Sequence, residues 1–158
     1  MRKLMQKYLK NEKGLTLIEL LVVVVILGII AAIAVVSIGG LLDNSKKDAH
    51  LANAKQMISA ARMAVTENAG PKTYTLQELV DGGYLETVPK SPGKKGDYDT
   101  AKSKVIVTNK TKTTGTTTTE TSAFEFKVTL SPASGTAYID NKTQDELDAD
   151  GRGIVALK

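Results

Sequence analysis

Residues 13–30 read KGLTLIELLVVVVILGII, and this stretch decides how the rest of the chain is understood. It sets a lysine and a glycine, Lys13 and Gly14, before an aliphatic run that holds one carboxylate, Glu19. From Leu20 to Val36 no side chain is polar, and Ser37 alone interrupts the apolar run before Asp43. A helix over residues 20–42 is about 34 Å long at ~1.5 Å per residue, sufficient to cross the hydrocarbon core of a bilayer. Residues 20–36 contain thirteen Leu, Ile or Val, which favour membrane insertion by about 4 to 8 kcal/mol. A carboxylate at the bilayer centre costs on the order of 3 kcal/mol and less near the end of a span, so Glu19 does not prevent insertion.

Charge is concentrated ahead of this run. The chain of 158 residues has 21 basic and 17 acidic residues, a net +4. Residues 1–14 hold five of the basic residues (Arg2, Lys3, Lys7, Lys10, Lys13) and one acid, Glu12. Subtracting five from 21 and one from 17 leaves 16 of each sign from Leu15 onward. The basic character belongs to the leader, which by the positive-inside rule stays cytoplasmic and places the C-terminal part outside. There is no cysteine, so neither a disulfide nor a thiolate is available, and His50 is the one histidine. No nucleophile–base–acid grouping, glycine-rich phosphate loop or pair of catalytic carboxylates is present, and a non-enzymatic role is expected.

Glu19 by itself has two readings of equal weight. It is either an interfacial carboxylate favoured by the helix dipole or a buried charge awaiting a counter-ion. Gly14 separates them. A cut between Gly14 and Leu15 removes the cations and creates an α-ammonium four residues from Glu19. Within one helix that pair has marginal geometry. Between two packed helices it sets their axial register, because an unpaired charge at any other offset is costly.

The stretch KGLTLIELLVVVVILGIIAAIAVV closely resembles the class III signal of type IV pilins and pseudopilins. That signal is a short basic leader ending in glycine, followed by Phe-Thr-Leu-Ile-Glu and an apolar helix. The resemblance implies that a prepilin peptidase cuts after Gly14 and methylates the amino group of Leu15. It implies that Glu19, the fifth mature residue, supports assembly by meeting a neighbour's amino terminus, and Gly28 matches a glycine common in the family. Two positions depart from the pattern. Leu15 stands in place of phenylalanine, and Val36 stands where many pilins have a helix-bending proline. If the helix loosens in a filament, Gly39-Gly40 is the candidate point here, since glycine lowers helix propensity. An ordinary secretory signal cut after Ala32-Ile33-Ala34 is the competing reading, but its apolar region is too long and it leaves Glu19 without a purpose.

Residues 43–69 continue as an amphipathic helix, with Leu51, Ala54, Ile58, Ala61 and Val65 in one apolar stripe, until Gly70-Pro71 stops it. In TYTLQELVDGGYLETVPKSPG, Thr75 and Glu78 have capping-box spacing and Gly82-Gly83 ends a short helix. This resembles the connector between helix and sheet in many pilins. From residue 104 the period changes to two. KVIVT and FEFKVTL read as strands, with Phe124, Phe126, Val128 and Leu130 toward the helix, while TAYID and a closing GIVAL complete a small antiparallel sheet. The threonine-rich TNKTKTTGTTTTET, residues 108–121, reads as a hairpin tip or solvated loop open to glycosylation. Asn109-Lys110-Thr111 and Asn141-Lys142-Thr143 fit the N-glycosylation pattern, which is too short to carry weight.

The fold class expected is α+β: a long N-terminal helix, half transmembrane and half amphipathic, packed on a small antiparallel sheet, as in the pilin fold. The organisation is leader 1–14, removed; apolar helix 15–42; amphipathic helix 43–69; connector with a short helix 70–103; and sheet with a threonine-rich loop 104–158.

Other candidate sites are weaker. Asp148 and Asp150 in ELDADGRG have some of the spacing of a calcium loop, but the twelfth position is Leu157, so this is not an EF-hand; calcium is the one cofactor considered, and none is the expectation. His50 reads as a solvated residue. Residues 90–112 hold seven lysines and two aspartates, whereas residues 140–150 hold five acids and one lysine. These are solvated loop charges, complementary patches on neighbouring subunits, or a basic strip for DNA phosphates; only Tyr98 lies among the lysines, so specific single-strand recognition is not supported.

The reading is a structural subunit stored in the membrane and drawn into a helical homopolymer, with a prepilin peptidase, an assembly platform and the lipid bilayer as partners and DNA as a further one in uptake. A pseudopilin of a secretion or competence system is the near alternative, and a non-polymerising anchored or secreted binding domain the remote one. With no cysteine, strand pairing must close the domain in place of the disulfide of many Gram-negative pilins, which points to a Gram-positive source.

Overall fold

The computed structural model describes residues 17–68, 70–93, 95–114 and 117–157, with side chains for all of these except 68 and 112–122. Two compact units result, Met1–Leu41 and Leu42–Lys158. Helix α1, Leu17–Asn68, runs through both and ends just before Gly70-Pro71. Its first part is apolar on every side, which suits lipid or a surrounding of other helices. From Ala54 on the pattern narrows to one face.

Within Leu42–Lys158 that face packs on a four-stranded antiparallel sheet, so the α+β arrangement expected from the sequence is present. The strands are β1 (Thr73–Thr75), β2 (Lys104–Thr114), β3 (Thr117–Leu130) and β4 (Ile139–Thr143), in spatial order β1-β2-β3-β4. Between β1 and β2 lies helix α2, Leu76–Asp81; after β4 come helix α3, Gln144–Ala149, and a 3₁₀ turn, Gly151–Ile154. Ala54, Met57, Ile58, Ala61 and Val65 from α1 are buried with Val105, Val107, Val128 and Leu130 from the sheet. Ala60 and Ala64 are buried too, and these small side chains let helix and sheet approach closely. Leu51, counted in the stripe, is only partly buried, as are Phe124 and Phe126 toward the far end of β3.

Capping fixes both short helices. The Thr75 hydroxyl accepts from the Glu78 N–H at 3.2 Å while the Glu78 carboxylate accepts from the Thr75 N–H at 2.8 Å. Thr143 and Glu146 repeat this reciprocal pair at 3.2 and 2.8 Å. Each box satisfies two backbone donors that a helix start leaves open.

Three sequence expectations need correction. GIVAL is not a closing strand: Gly151 adopts φ 50, the chain turns through Gly151–Ile154, and Ala156 N–H then bonds the Tyr138 carbonyl at 2.9 Å without extending the sheet. Residues 104–158 therefore end in helical turns rather than in strand. The strand expected at TAYID starts later, at Ile139, with Tyr138 buried just before it. The described part of the threonine run, 108–114 and 117–121, is strand and not loop; of the two readings offered, the hairpin holds, with β2 and β3 paired out to Thr114↔Thr117. β-Branched threonine suits an extended backbone even where it has no core to face.

Leu130 is fully buried, at the end of β3 beside β4. Leu130→Ala is expected to lower the stability of the folded domain by about 2 to 5 kcal/mol, read by thermal or denaturant unfolding of the detergent-solubilised chain.

Candidate functional site

Every residue from Leu17 to Ser45 is exposed in the isolated chain. Leu17 is 85% and Val36 80% exposed, and Leu21, Val24, Ile29 and Ile33 lie bare on the faces between. A soluble monomer rarely exposes such an apolar surface, so this length of helix belongs in lipid or against other helices. It is long and apolar enough to cross a membrane, with a mean hydropathy of 3.3 over its most apolar window. Its apolar stretch stops at Leu42, before the charged Asp43, Lys46, Lys47 and Asp48.

Glu19 stands in the first turn of α1, where the helix dipole favours a carboxylate. Gly14 and Leu15, the cleavage and methylation positions, lie outside the described residues. Helix α1 continues through Gly28, Gly39 and Gly40, and a Cβ built on any of them meets nothing within 4 Å. Space inside the chain therefore does not require glycine at these positions.

His50 is not solvated. It is fully buried eight residues past Leu42, within the second unit. Its ring stacks on Tyr138 at 4.0 Å, and Nδ1 lies 2.6 Å from the Tyr98 hydroxyl. Asn53 Nδ2 donates to that hydroxyl at 3.0 Å and to the Lys90 carbonyl at 3.1 Å. The Tyr98 hydroxyl is thus shared between the His50 ring and Asn53. Nε2 has no partner among the described residues. Burial pushes the imidazole down to about 4 and the Tyr98 phenol up to about 12. The cluster pins α1 to the connector and to the segment before β4. Tyr138 fits only because Gly93 has no side chain, since a Cβ there would strike the phenol.

The acidic C-terminal stretch is likewise used within the chain. Asp148 pairs with Lys55 at 2.5 Å. Glu146 is held by Lys142 at 2.9 Å and by the Thr143 cap, which together draw its carboxyl down to about 2. Arg152 grips Asp48 through two bonds of 2.6 Å, and this charge-assisted pair holds the Asp48 carboxyl below its ordinary range. Among the described residues no group of three or more His, Asp or Glu is placed to hold a metal ion. Of the connector lysines, Lys102 meets Asp99 at 3.3 Å and Lys95 bonds Thr136. A groove of about 150 Å³ beside Phe124 and Phe126 is bridged by Arg62, which bonds Gln144 at 2.6 Å and lies over the Phe126 ring.

Residues 9–41 match the family model described as the prokaryotic N-terminal methylation motif. Neither the curated proteins nor the solved structures compared with the chain give a match. That motif is the class III signal peptide of type IV pilins and pseudopilins, and it supports a precursor of that kind. The motif implies processing by a prepilin peptidase, and with the apolar helix it fits a membrane-anchored precursor.

The His50 cluster makes stability depend on pH. In the unfolded chain the imidazole titrates near its ordinary 6.5, whereas in the fold it stays neutral down to about 4. As pH falls from 6.5 toward 4 the unfolded state takes up a proton that the folded state refuses, so stability is lost in that window; above it both are neutral, and below it both are charged. Between pH 7 and pH 4, His50→Leu is expected to narrow its stability difference from wild type by on the order of 2 kcal/mol. Unfolding followed as a function of pH checks this, with the steeper loss from protonated carboxylates at lower pH common to both proteins.

Proposed function

We propose that this chain is a structural, non-catalytic subunit of a type IV pilus-like filament. It enters the membrane as a precursor with its N-terminus cytoplasmic, is cut between Gly14 and Leu15, is methylated on Leu15, and polymerises through its N-terminal helix. The observation that carries the reading is the joining of the methylation motif, residues 9–41, to a helix whose apolar side chains from Leu17 to Leu42 lie exposed among the described residues. Before assembly, lipid covers that surface; in the filament, the same helices of other copies do. Glu19 is the register contact. Its charge is tolerated in an apolar filament core only beside a neighbour's α-ammonium, so helices dock at one offset. Gly39-Gly40 supplies the point where the helix can loosen. An assembly platform in the membrane would extract the subunit and add it to the filament base.

Support for the Leu42–Lys158 unit as the filament's outer part comes from its polar surface and from ion pairs that need no membrane. A Gram-positive source accords with a C-terminal segment fastened by ion pairs and a main-chain bond instead of a disulfide. A pseudopilin of a secretion or DNA-uptake system shares the same signal and the same assembly chemistry. The two differ in the abundance of long filaments sheared from the cell surface.

Glu19→Ala in the native cell tests the mechanism. The variant is expected to be cut and retained in the membrane at wild-type level, while sheared filaments fall at least tenfold. Filaments at wild-type abundance would remove Glu19 from assembly and favour a plain anchor.

A further inference from the structure

Strand β2 has β1 on its outer side only from Lys104 to Ile106, with one further bond from Val107 N–H to the Lys72 carbonyl at 3.0 Å. Strand β3 has β4 on its outer side only from Lys127 to Leu130. The pairing of β2 with β3 nevertheless continues to Thr114↔Thr117, past a bulge between Asn109 and Thr111. Residues 108–114 and 117–126 therefore form a two-stranded ribbon, and among the described residues no strand pairs with either of its outer edges. A two-stranded ribbon on its own is marginally stable in water, and open edges are templates for another strand.

The two edges differ in charge. The ribbon part of β2 contributes Lys110 and Lys112 and no acid, whereas residues 117–126 of β3 contribute Glu120 and Glu125 and no base. Pairing two β2 edges sets cations against cations, and pairing two β3 edges sets anions against anions; pairing β2 with β3 does neither. Polarity selects the same match. Copies assembled through equivalent helices are related by rotation about one axis and translation along it, so no copy is turned end over end relative to the next. Since β2 and β3 of one ribbon are antiparallel, the β3 edge of one copy meets the β2 edge of the next antiparallel as well, and the ladder continues. Pairing like edges requires a twofold between the two copies, which a rotation and translation shared by every successive pair does not supply.

We infer that the threonine-rich ribbon is a lateral assembly surface whose occupant is a second copy of this chain, the outer edge of β2 in one copy pairing antiparallel with the outer edge of β3 in the next. This rests on the filament reading above and adds to it a contact independent of the N-terminal helix. The contact is heterologous, so it propagates along an array instead of closing at a dimer. Main-chain bonds carry it, which explains how a run of threonines with no core to face serves the protein: the residues hold the backbone extended and keep the edge soluble until a neighbour arrives.

The chain has no cysteine, so introduced pairs report cleanly. Thr108 is opposite Glu125, and Ala123 lies two residues from Glu125 on the same face; Thr108 and Ala123 are both exposed. Thr108→Cys is combined in turn with Thr119→Cys, Thr121→Cys and Ala123→Cys in the full-length protein, and cells or sheared filaments are oxidised. At least one pair is expected to give a ladder of dimers, trimers and larger species that each single variant lacks. Dimers from Thr108→Cys alone would place two β2 edges together and overturn the inference, as would filaments in which no pair cross-links. A second variant joins Asn109 to Phe124, which face each other in the ladder, through Asn-Gly, removing the ribbon beyond them. It is expected to unfold at the wild-type temperature but to yield at least tenfold fewer filaments; wild-type abundance would overturn the inference while leaving the filament reading intact. Ladders from membranes of a cell that makes no filaments would sustain the edge contact and sink the filament reading.

Discussion

A helix that is apolar on every side needs a surface that one small chain cannot provide. Residues 17–42 of α1 pose that need, since their large apolar side chains are exposed among the described residues. Lipid meets it for a single copy; other copies of the helix meet it in an assembly. Glu19 makes the two solutions unequal. In lipid its carboxylate is a modest cost near the end of the span. Among packed helices it becomes selective, because a low-dielectric surrounding penalises every arrangement that does not bring a cation to it. On the proposed filament reading, one charge in an apolar run converts a generic membrane anchor into a helix with a preferred neighbour and a preferred offset.

The second unit is built to hold together without help from that helix segment. The buried alanines of α1 bring it close to β2 and β3, and the His50, Tyr98 and Tyr138 rings join the helix to two segments far away in sequence. With no disulfide available, the C-terminal segment is fastened by other means. Arg152 reaches Asp48, Asp148 reaches Lys55, and Ala156 bonds back to Tyr138. Half-exposed ion pairs contribute little each, so the fastening depends on buried Leu147 and Val155 as much as on the charges.

Much of this was legible in the sequence, and what was not has a physical reason. The apolar run, the stop at Gly70-Pro71, the cap at Thr75 and Glu78, and strands at KVIVT and FEFKVTL are local signals, written in neighbouring residues. The second cap, Thr143 with Glu146, has the same spacing and could have been read the same way; the acidic residues around it drew attention to calcium instead. His50 misled because its partners are 48 and 88 residues away, and a lone histidine on a helix carries no local mark of burial. The threonine run misled because composition suggests solvation while β-branching permits a strand, and the register of β2 with β3 decides between them. GIVAL has a strand-like pattern, but Gly151 and Gly153 allow a tight turn that the ties to Asp48 and Tyr138 fix. Gly14 and Leu15 are legible only through the chemistry of the motif.

The central claim is that this chain is cut at Gly14 so that Leu15 supplies the cation that Glu19 requires. The measurement that tests it most directly is the intact mass and N-terminal residue of the protein isolated from the membranes of its native cell. The account predicts a chain that begins at Leu15 and is heavier by one methyl group. A chain that still begins at Met1, or one that begins after Ala34, would contradict it.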